Sequence, residues 1–254
     1  MKYLIILGDG MADEPIERLG GKTPLMAADT PNMDALCAKG RAGQFITVPA
    51  DMPPASDVAN LGVLGYDVHD VYEGRGVLEA ASIGVELAPG DMAMRCNLIC
   101  VEDDRIKNHS AGHISTEEAR HLIDVLNEEL ATDTIRFYPG VSYRHLLVIK
   151  GGVKDLVCTP PHDVPGTPFR DVLISSQSDR ADATAELLNN LIFESQSVLW
   201  DHPINERRRE RGKDAANSIW PWSPGYKPKM KTYKELYGIE RGAVISAVDL
   251  IQGI

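Results

Sequence analysis

What the chain lacks narrows its class first. Its 254 residues hold four cysteines, and none falls in a CxxC pair or at zinc-site spacing. Cys37, Cys96, Cys100 and Cys158 therefore imply neither a disulfide framework nor a thiolate metal site, and are expected to be reduced thiols of a cytoplasmic protein. No apolar run approaches the roughly 20 residues of a membrane helix, and the opening "YLIIL" is too short for the core of a secretory signal. A membrane partner is not expected. Basic residues are scarce: 26 Lys and Arg stand against 37 Asp and Glu, for a net charge of −11. The one basic cluster, "ERRRERGK" at 206–213, does not make a nucleic-acid-binding face. It is compatible with a small anion gripped by local arginines. Internal repeats and low-complexity segments are also missing.

What is present reads as a globular α/β chain, with 43% hydrophobic and 25% charged residues. "KYLIILGDGM" is a continuous apolar run closed by Gly-Asp-Gly, the pattern of a buried strand in a parallel sheet with a turn at its carboxyl edge. A helix follows, with Thr30 at its cap, Pro31 at its first position and Gly40 as its stop, and then a second strand through "GQFITV". "SDVANLGVLGY" and "RGVLEAASIGV" read as short helices. From about Asp91 the texture changes. "MAMRCNLICVEDDRIK" is a hairpin with a DD turn. "STEEARHLIDVLNEEL" is an amphipathic helix with a capping pattern. "IRFYPGVSYRHLLVIK" is strand, turn and strand, and "DRADATAELLNNLIFESQSVL" is another helix. "WPWSPGYKPKMK" at 220–231 reads as a linker. After it come a short helix, "TYKELYG", and a returning apolar strand in "GAVISAVDLIQGI". The simplest organisation is a parallel-sheet domain interrupted by an inserted α+β domain and then resumed.

Some residues in this frame could carry chemistry. Asp9, between glycines at the end of the first strand, is either a turn residue or a carboxylate for a divalent ion. Ser56, in "DMPPASDVANLGVLGYD", follows two prolines and precedes a helix. Either Ser56 or Asp57 caps that helix, or the serine is presented to a phosphate at the helix amides. His109 and His113 are four apart, but Gly112 and the capping pattern put them in the loop before the helix. His113 then faces an anion at the helix N-terminus, or bonds to backbone. Arg144 starts a strand just after a turn. The cluster around Arg208 is either a solvated helix face or a bidentate grip on phosphate and carboxylate. "CTPPHDVPG" is a shaped loop carrying His162 and Asp163.

The ordered motifs "LIILGDGMAD", "MPPASDVANLGVLGYD", "YEGRGVLEAASIGVEL", "MAMRCNLI", "SAGHISTEEA", "FYPGVSYRHLLV", "TPPHDVPG", "HPINERR" and "ANSIWPW" resemble the archaeal-type, 2,3-bisphosphoglycerate-independent phosphoglycerate mutases. Bacterial relatives of that family carry the label homoserine kinase. The resemblance covers essentially the whole chain and implies an alkaline phosphatase-like α/β fold with an inserted substrate-binding domain. The corresponding segments here are 1–84, 85–228 and 229–254. It implies Asp9 and Ser56 as metal ligands, with Ser56 also the nucleophile that becomes phosphoserine. It implies His113, Arg144 and Arg208 as substrate contacts. Two divalent ions (Mn, Mg, Co or Zn) and no 2,3-bisphosphoglycerate would serve the interconversion of 3- and 2-phosphoglycerate, and the partner is a small phosphorylated substrate. Family members run on past "AVDLIQGI" and take further Asp and His metal ligands from that later segment. The chain thus reads as the first two-thirds of such an enzyme, expected to be inactive alone. The alternatives are a phosphatase of the same superfamily and a non-catalytic ligand-binding fragment.

Overall fold

A computed structural model describes residues 2–52, 54–246, 251, 253 and 254. It falls into two compact units, Met1–Ile46 and Thr47–Ile254. No helix among the described residues is long and apolar enough to cross a membrane.

Among its described residues the first unit carries a single 3-10 turn at Glu17–Leu19 and two α-helices on irregular chain. In α1 (Pro24–Ala27) the Thr23 hydroxyl accepts from the Met26 N–H. In α2 (Pro31–Lys39) Pro31 opens the helix and Gly40 follows its last residue, as the sequence predicts. Thr30 occupies the cap position, but its hydroxyl donates to the Asp34 carboxylate at 3.1 Å rather than accepting from backbone. The two expected strands do not form. Residues 2–8 and 41–46 are irregular, and Leu4, Ile6 and Ile46 are 84%, 81% and 83% exposed. An apolar run supplies side chains for a strand but not the neighbouring N–H and C=O groups that hold one, and none pairs with these runs among the described residues. The turn after the first run does form, closed by Met11 N–H to Gly8 C=O with Gly10 at positive φ.

The second unit opens with α3 (Ser56–Val63), α4 (Val68–Val71) and α5 (Arg75–Ser82). Val58, Leu61, Val68 and Val71 of the first two bury one another. The sheet then builds on β1 (Asp91–Glu102), which turns back as β2 (Arg105–Asn108). Asp103 and Asp104 both adopt positive φ, the twist that a two-residue hairpin turn requires. The chain continues through α6 (Thr116–Leu130), β3 (Ile135–Tyr138), β4 (Arg144–Lys150) and the small ribbon of β5 (Leu156–Val157) with β6 (Ser175–Ser176). After that come α7 (Asp182–Leu199), α8 (Pro203–Glu210), β7 (Ser218–Tyr226) and α9 (Tyr233–Tyr237). β1 is the hub: it pairs antiparallel with β2, β4 and β7, and β3 adds to β4.

Both faces of β1 are covered, which is why "MAMRCNLICV" reads as a continuous apolar run. Met92, Met94 and Cys96 pack into the large core with Leu122, Ile123 and Leu126 of α6 and Leu188 and Ile192 of α7. Ala93 packs on the other face with Val77, Leu78 and Ala80 of α5.

The segment read as a linker is a correction. Residues 218–226 form β7, with Trp220 and Trp222 only 1% and 6% exposed. Pro221 and Pro224 have no N–H to give, but among the described residues β7 pairs with β1 alone, so its other edge needs no donors. A bulge opposite Met94 and Arg95 absorbs the extra residue, Ser223, at a φ of 53°. Of the expected returning strand, residues 242–246 are irregular, and 247–250 and 252 lie outside the described residues.

The approach of α5 to β1 rests on a missing side chain. A Cβ on Gly76 would stand 2.6 Å from the Ala93 carbonyl oxygen and 2.8 Å from Met94 Cα. Backbone cannot swing aside as a flexible side chain can. Gly76→Ala should therefore lower stability by about 1–3 kcal/mol, seen as a reduced urea midpoint at unchanged m-value. An unchanged or raised midpoint would show that α5 does not seat this closely.

Candidate functional site

Ser56 is the first residue of α3, exposed, with Ala55 at the cap position. Neither Ser56 nor Asp57 caps the helix, which corrects that reading. The buried neighbour Asp57 instead accepts from the Tyr72 hydroxyl at 2.9 Å, while its other carboxylate oxygen has no hydrogen-bond partner among the described residues. Burial, reinforced by Asp57, pushes the Tyr72 hydroxyl's pKa up, so it stays a donor. The approach to Ser56 is tied to α4 through His69, whose Nε2 lies 3.1 Å from Asp51 Oδ2. That contact lowers the Asp51 pKa and raises that of His69.

Asp9 lies on the exposed Gly8–Gly10 turn of the first unit, and Ser56 belongs to the second. A carboxylate and a hydroxyl are oxygen donors suited to a hard divalent ion. Among the described residues, however, no three His, Cys, Asp or Glu side chains gather as metal ligands. Two donors do not make a metal site.

The second unit gathers a cationic and aromatic face around the middle of β1, where Arg95 pairs with Trp222 and Asn97 with Arg144. Its floor is buried. Arg95 pairs with Glu79 of α5, and its Nε donates to Asn97 Oδ1 at 3.1 Å. The Trp222 indole N–H donates to the same oxygen at 3.1 Å, and Asn97 Nδ2 donates to the His109 carbonyl at 3.0 Å. Burial moves both members of the Arg95–Glu79 pair toward neutrality, the carboxyl up and the guanidinium down, yet the guanidinium stays charged in proteins and holds the pair ionic. The Arg75 and Arg95 guanidinium carbons lie 5.6 and 5.4 Å from the Trp222 ring centre.

Above this floor the imidazoles and Tyr143 meet. The His109 ring lies 5.7 Å from Tyr143 and 6.0 Å from His162, His113 lies 6.1 Å from Tyr143, and His162 lies 5.4 Å from Trp222. Arg144 stands over the Tyr143 ring at 5.6 Å. Burial lowers the His109 pKa, helped by His162, His113 and Arg95.

The backbone that presents these groups is strained. Ala111, Gly112 and His113 are consecutively left-handed, with φ of 47°, 62° and 53°. For the two non-glycine residues this costs about 1–2 kcal/mol each. Ser142, facing them at a φ of 56°, donates to the Ile114 carbonyl at 2.7 Å and takes the Thr116 hydroxyl on its N–H at 3.0 Å. His113 and Arg144 are thus brought to one face, flanking Tyr143. Arg208 is not on that face. It is 3% exposed, and its guanidinium is occupied by Asp214 C=O, Glu118 and Ala111 C=O. Sequence reasoning missed Arg75, Arg95 and Trp222. A charge in the middle of "MAMRCNLI" was the available signal, since buried charges are seldom placed without a partner.

A family profile described as 2,3-bisphosphoglycerate-independent phosphoglycerate mutase matches residues 37–205. A protein of that name from Methanosarcina acetivorans is 52% identical over the whole chain, which covers 62% of the relative. One from Methanothermobacter thermautotrophicus is also 52% identical, with 61% covered. The chain therefore spans about three-fifths of the length of these curated relatives. Among solved structures, the PH0037 protein from Pyrococcus horikoshii matches with a TM-score of 0.74 at 29% identity, over 96% of this chain and 56% of that one. A cofactor-independent phosphoglycerate mutase from Thermoplasma acidophilum matches with a TM-score of 0.55 at 29% identity, over 89% and 60%. These likenesses agree with the α/β, alkaline phosphatase-like class with an inserted domain, although the described residues form only antiparallel ladders.

His145, next to Arg144, gives a pH test of this packing. It is 2% exposed, and its Nδ1 accepts from the Gly140 N–H at 3.1 Å. Burial, with Arg95 nearby, pulls its pKa down to about 3 from the ordinary 6.5. The unfolded chain then binds the extra proton first, so this contribution is complete above pH 6.5 and is lost as pH falls towards 3. Between pH 7 and pH 5 the loss should be about 2 kcal/mol. Urea midpoints across that range should fall less steeply in His145→Gln, and equal slopes would show the ring to be accessible to protons.

Proposed function

The chain belongs to the 2,3-bisphosphoglycerate-independent phosphoglycerate mutase family, and on that premise we propose that it supplies the nucleophile and substrate-holding face of a cytoplasmic enzyme interconverting 3-phosphoglycerate and 2-phosphoglycerate. The observation that carries this reading is the gathering of His109, His113, His162 and Arg144 around Tyr143 and Trp222. Such a face suits a small, doubly acidic ligand: fork-like and ring N–H donors grip carboxylate and phosphate oxygens. On this reading residues 85–228 are the inserted substrate-binding domain, between phosphatase-like segments 1–84 and 229–254.

In the proposed reaction Ser56 Oγ bonds to phosphorus as the bond from phosphorus to the C3 oxygen breaks. The serine's proton ends on the released glycerate. The glycerate turns while still held, its 2-hydroxyl takes the phosphoryl group, and the Ser56 hydroxyl is restored. His113 and Arg144 hold the glycerate's carboxylate and the departing oxygens through both steps. Charge spreads over the transferring phosphoryl oxygens, so fixed donors matter more than covalent help. The family's name excludes 2,3-bisphosphoglycerate as a cofactor. Asp9 and Ser56 are each proposed as an oxygen ligand for a divalent metal ion (Mn, Mg, Co or Zn).

Ser56→Ala, made in a form with the full length of the relatives, should reduce isomerisation by roughly four orders of magnitude or more with an unchanged circular dichroism spectrum. Retention of more than a small fraction would remove Ser56 from the mechanism. Release of inorganic phosphate without isomerisation in the unsubstituted protein would make it a phosphatase.

A further inference from the structure

Arg208 sits behind the loop that carries His109 and His113, and its guanidinium bonds run to the back of that loop or to its anchors. Nη2 donates to the Ala111 carbonyl at 2.6 Å, Nη1 to Glu118 Oε2 at 2.6 Å, and Nε to the Asp214 carbonyl at 2.8 Å. We infer that Arg208, together with Glu118, is a positioning residue: it fixes the left-handed Ala111–His113 backbone and so aims the His109 and His113 rings, without touching substrate.

Several independent observations support this. A left-handed turn spanning non-glycine residues persists only where its surroundings hold it. Arg208 holds its first carbonyl, and the Ser110 hydroxyl accepts the His113 N–H at 3.2 Å. Asp214 closes the remaining side. A Cβ on Gly112 would lie 3.4 Å from the Asp214 Cβ, and Asp214 Oδ2 accepts from Asn108 Nδ2 at 2.9 Å. Lys107 Nζ stands 3.2 Å from Asp214 Oδ1. The loop is thus braced from behind, while its imidazoles project to Tyr143 in front. Enclosure also bars Arg208 from a ligand, because its side chain is 3% exposed and its charge is met by Glu118. Glu118 serves twice: its N–H goes to the Ser115 hydroxyl at the start of α6, and its carboxylate takes Arg208. The planar fork is what the arrangement uses, so lysine cannot substitute for it.

The inference rests on the proposed function only for its effect on binding; its structural half can be read without ligand. Arg208→Lys is made in the 254-residue chain, along with Glu118→Ala as a second variant at the more exposed partner, whose side chain is 33% exposed. Imidazole resonances of His109 and His113 are followed by NMR, and 3-phosphoglycerate is titrated by calorimetry. Both variants should displace or broaden the His109 and His113 resonances. Arg208→Lys should weaken 3-phosphoglycerate by at least about tenfold. Unmoved imidazole resonances in a folded variant would overturn the inference. So would lost affinity with those resonances unmoved, which would mean direct contact by Arg208. If the unsubstituted chain fails to bind 3-phosphoglycerate while the resonances move as expected, the proposed function falls and the positioning role stands.

Discussion

A guanidinium buried in the middle of a sheet must be paired and hydrogen-bonded or the fold fails. Arg95 meets that demand by pairing with Glu79 of α5 and donating to Asn97. Asn97 then collects the Trp222 indole and reaches the His109 carbonyl. One buried charge thereby ties together α5, β1, β7 and the histidine loop, the parts from which the candidate site is made. Removing either partner would leave the other charge buried alone, typically a loss of about 3–5 kcal/mol. The position of the site is thus fixed by a constraint of folding rather than by the ligand.

Around that hub, non-glycine residues that border the site take left-handed backbone conformations. Ala111 to His113, Ser142 and Ser223 are left-handed. Each is held by a side chain or a neighbouring strand: Arg208 for the first, Ile114 C=O and the Thr116 hydroxyl for Ser142, and the bulge against β1 for Ser223. Ser223 in turn accepts the Arg75 N–H at 2.9 Å, so the bulge also sets the start of α5. Preorganisation of this kind suits the proposed role of the face, holding one small anion in two orientations.

How much of this was legible in the sequence depends on the range of the forces involved. Helices α2, α6 and α7, the DD hairpin and the strand-turn-strand of β3 and β4 follow local rules, and each lies where the sequence puts it. The failures are non-local. Proline and glycine in 220–226 look like a linker until an edge position beside β1 makes the missing N–H groups harmless. The apolar runs at 2–8 and 41–46 look like strands because a sequence pattern does not record whether a partner is present. For the site, His113 and Arg144 stood out through their loop and turn neighbours. Arg208 stood out only as charge; its enclosure and its bond to the Ala111 carbonyl, which the sequence does not record, favour the proposed brace over a substrate contact. Ser56 was flagged by the rigid prolines before it, whereas the capping role offered as its bland alternative is taken by neither Ser56 nor Asp57.

The central claim is that the face formed by His109, His113, Tyr143 and Arg144 receives the substrate's acidic groups. A crystal structure of the chain with 3-phosphoglycerate bound tests it most directly. The account predicts phosphate or carboxylate oxygens within hydrogen-bond distance of His113 and Arg144, with Arg208 still bonded to Ala111 behind the loop. Ligand seated elsewhere, for example in the surface groove between Arg170 and Trp200 on α7's side of the sheet, with this face empty, would contradict it.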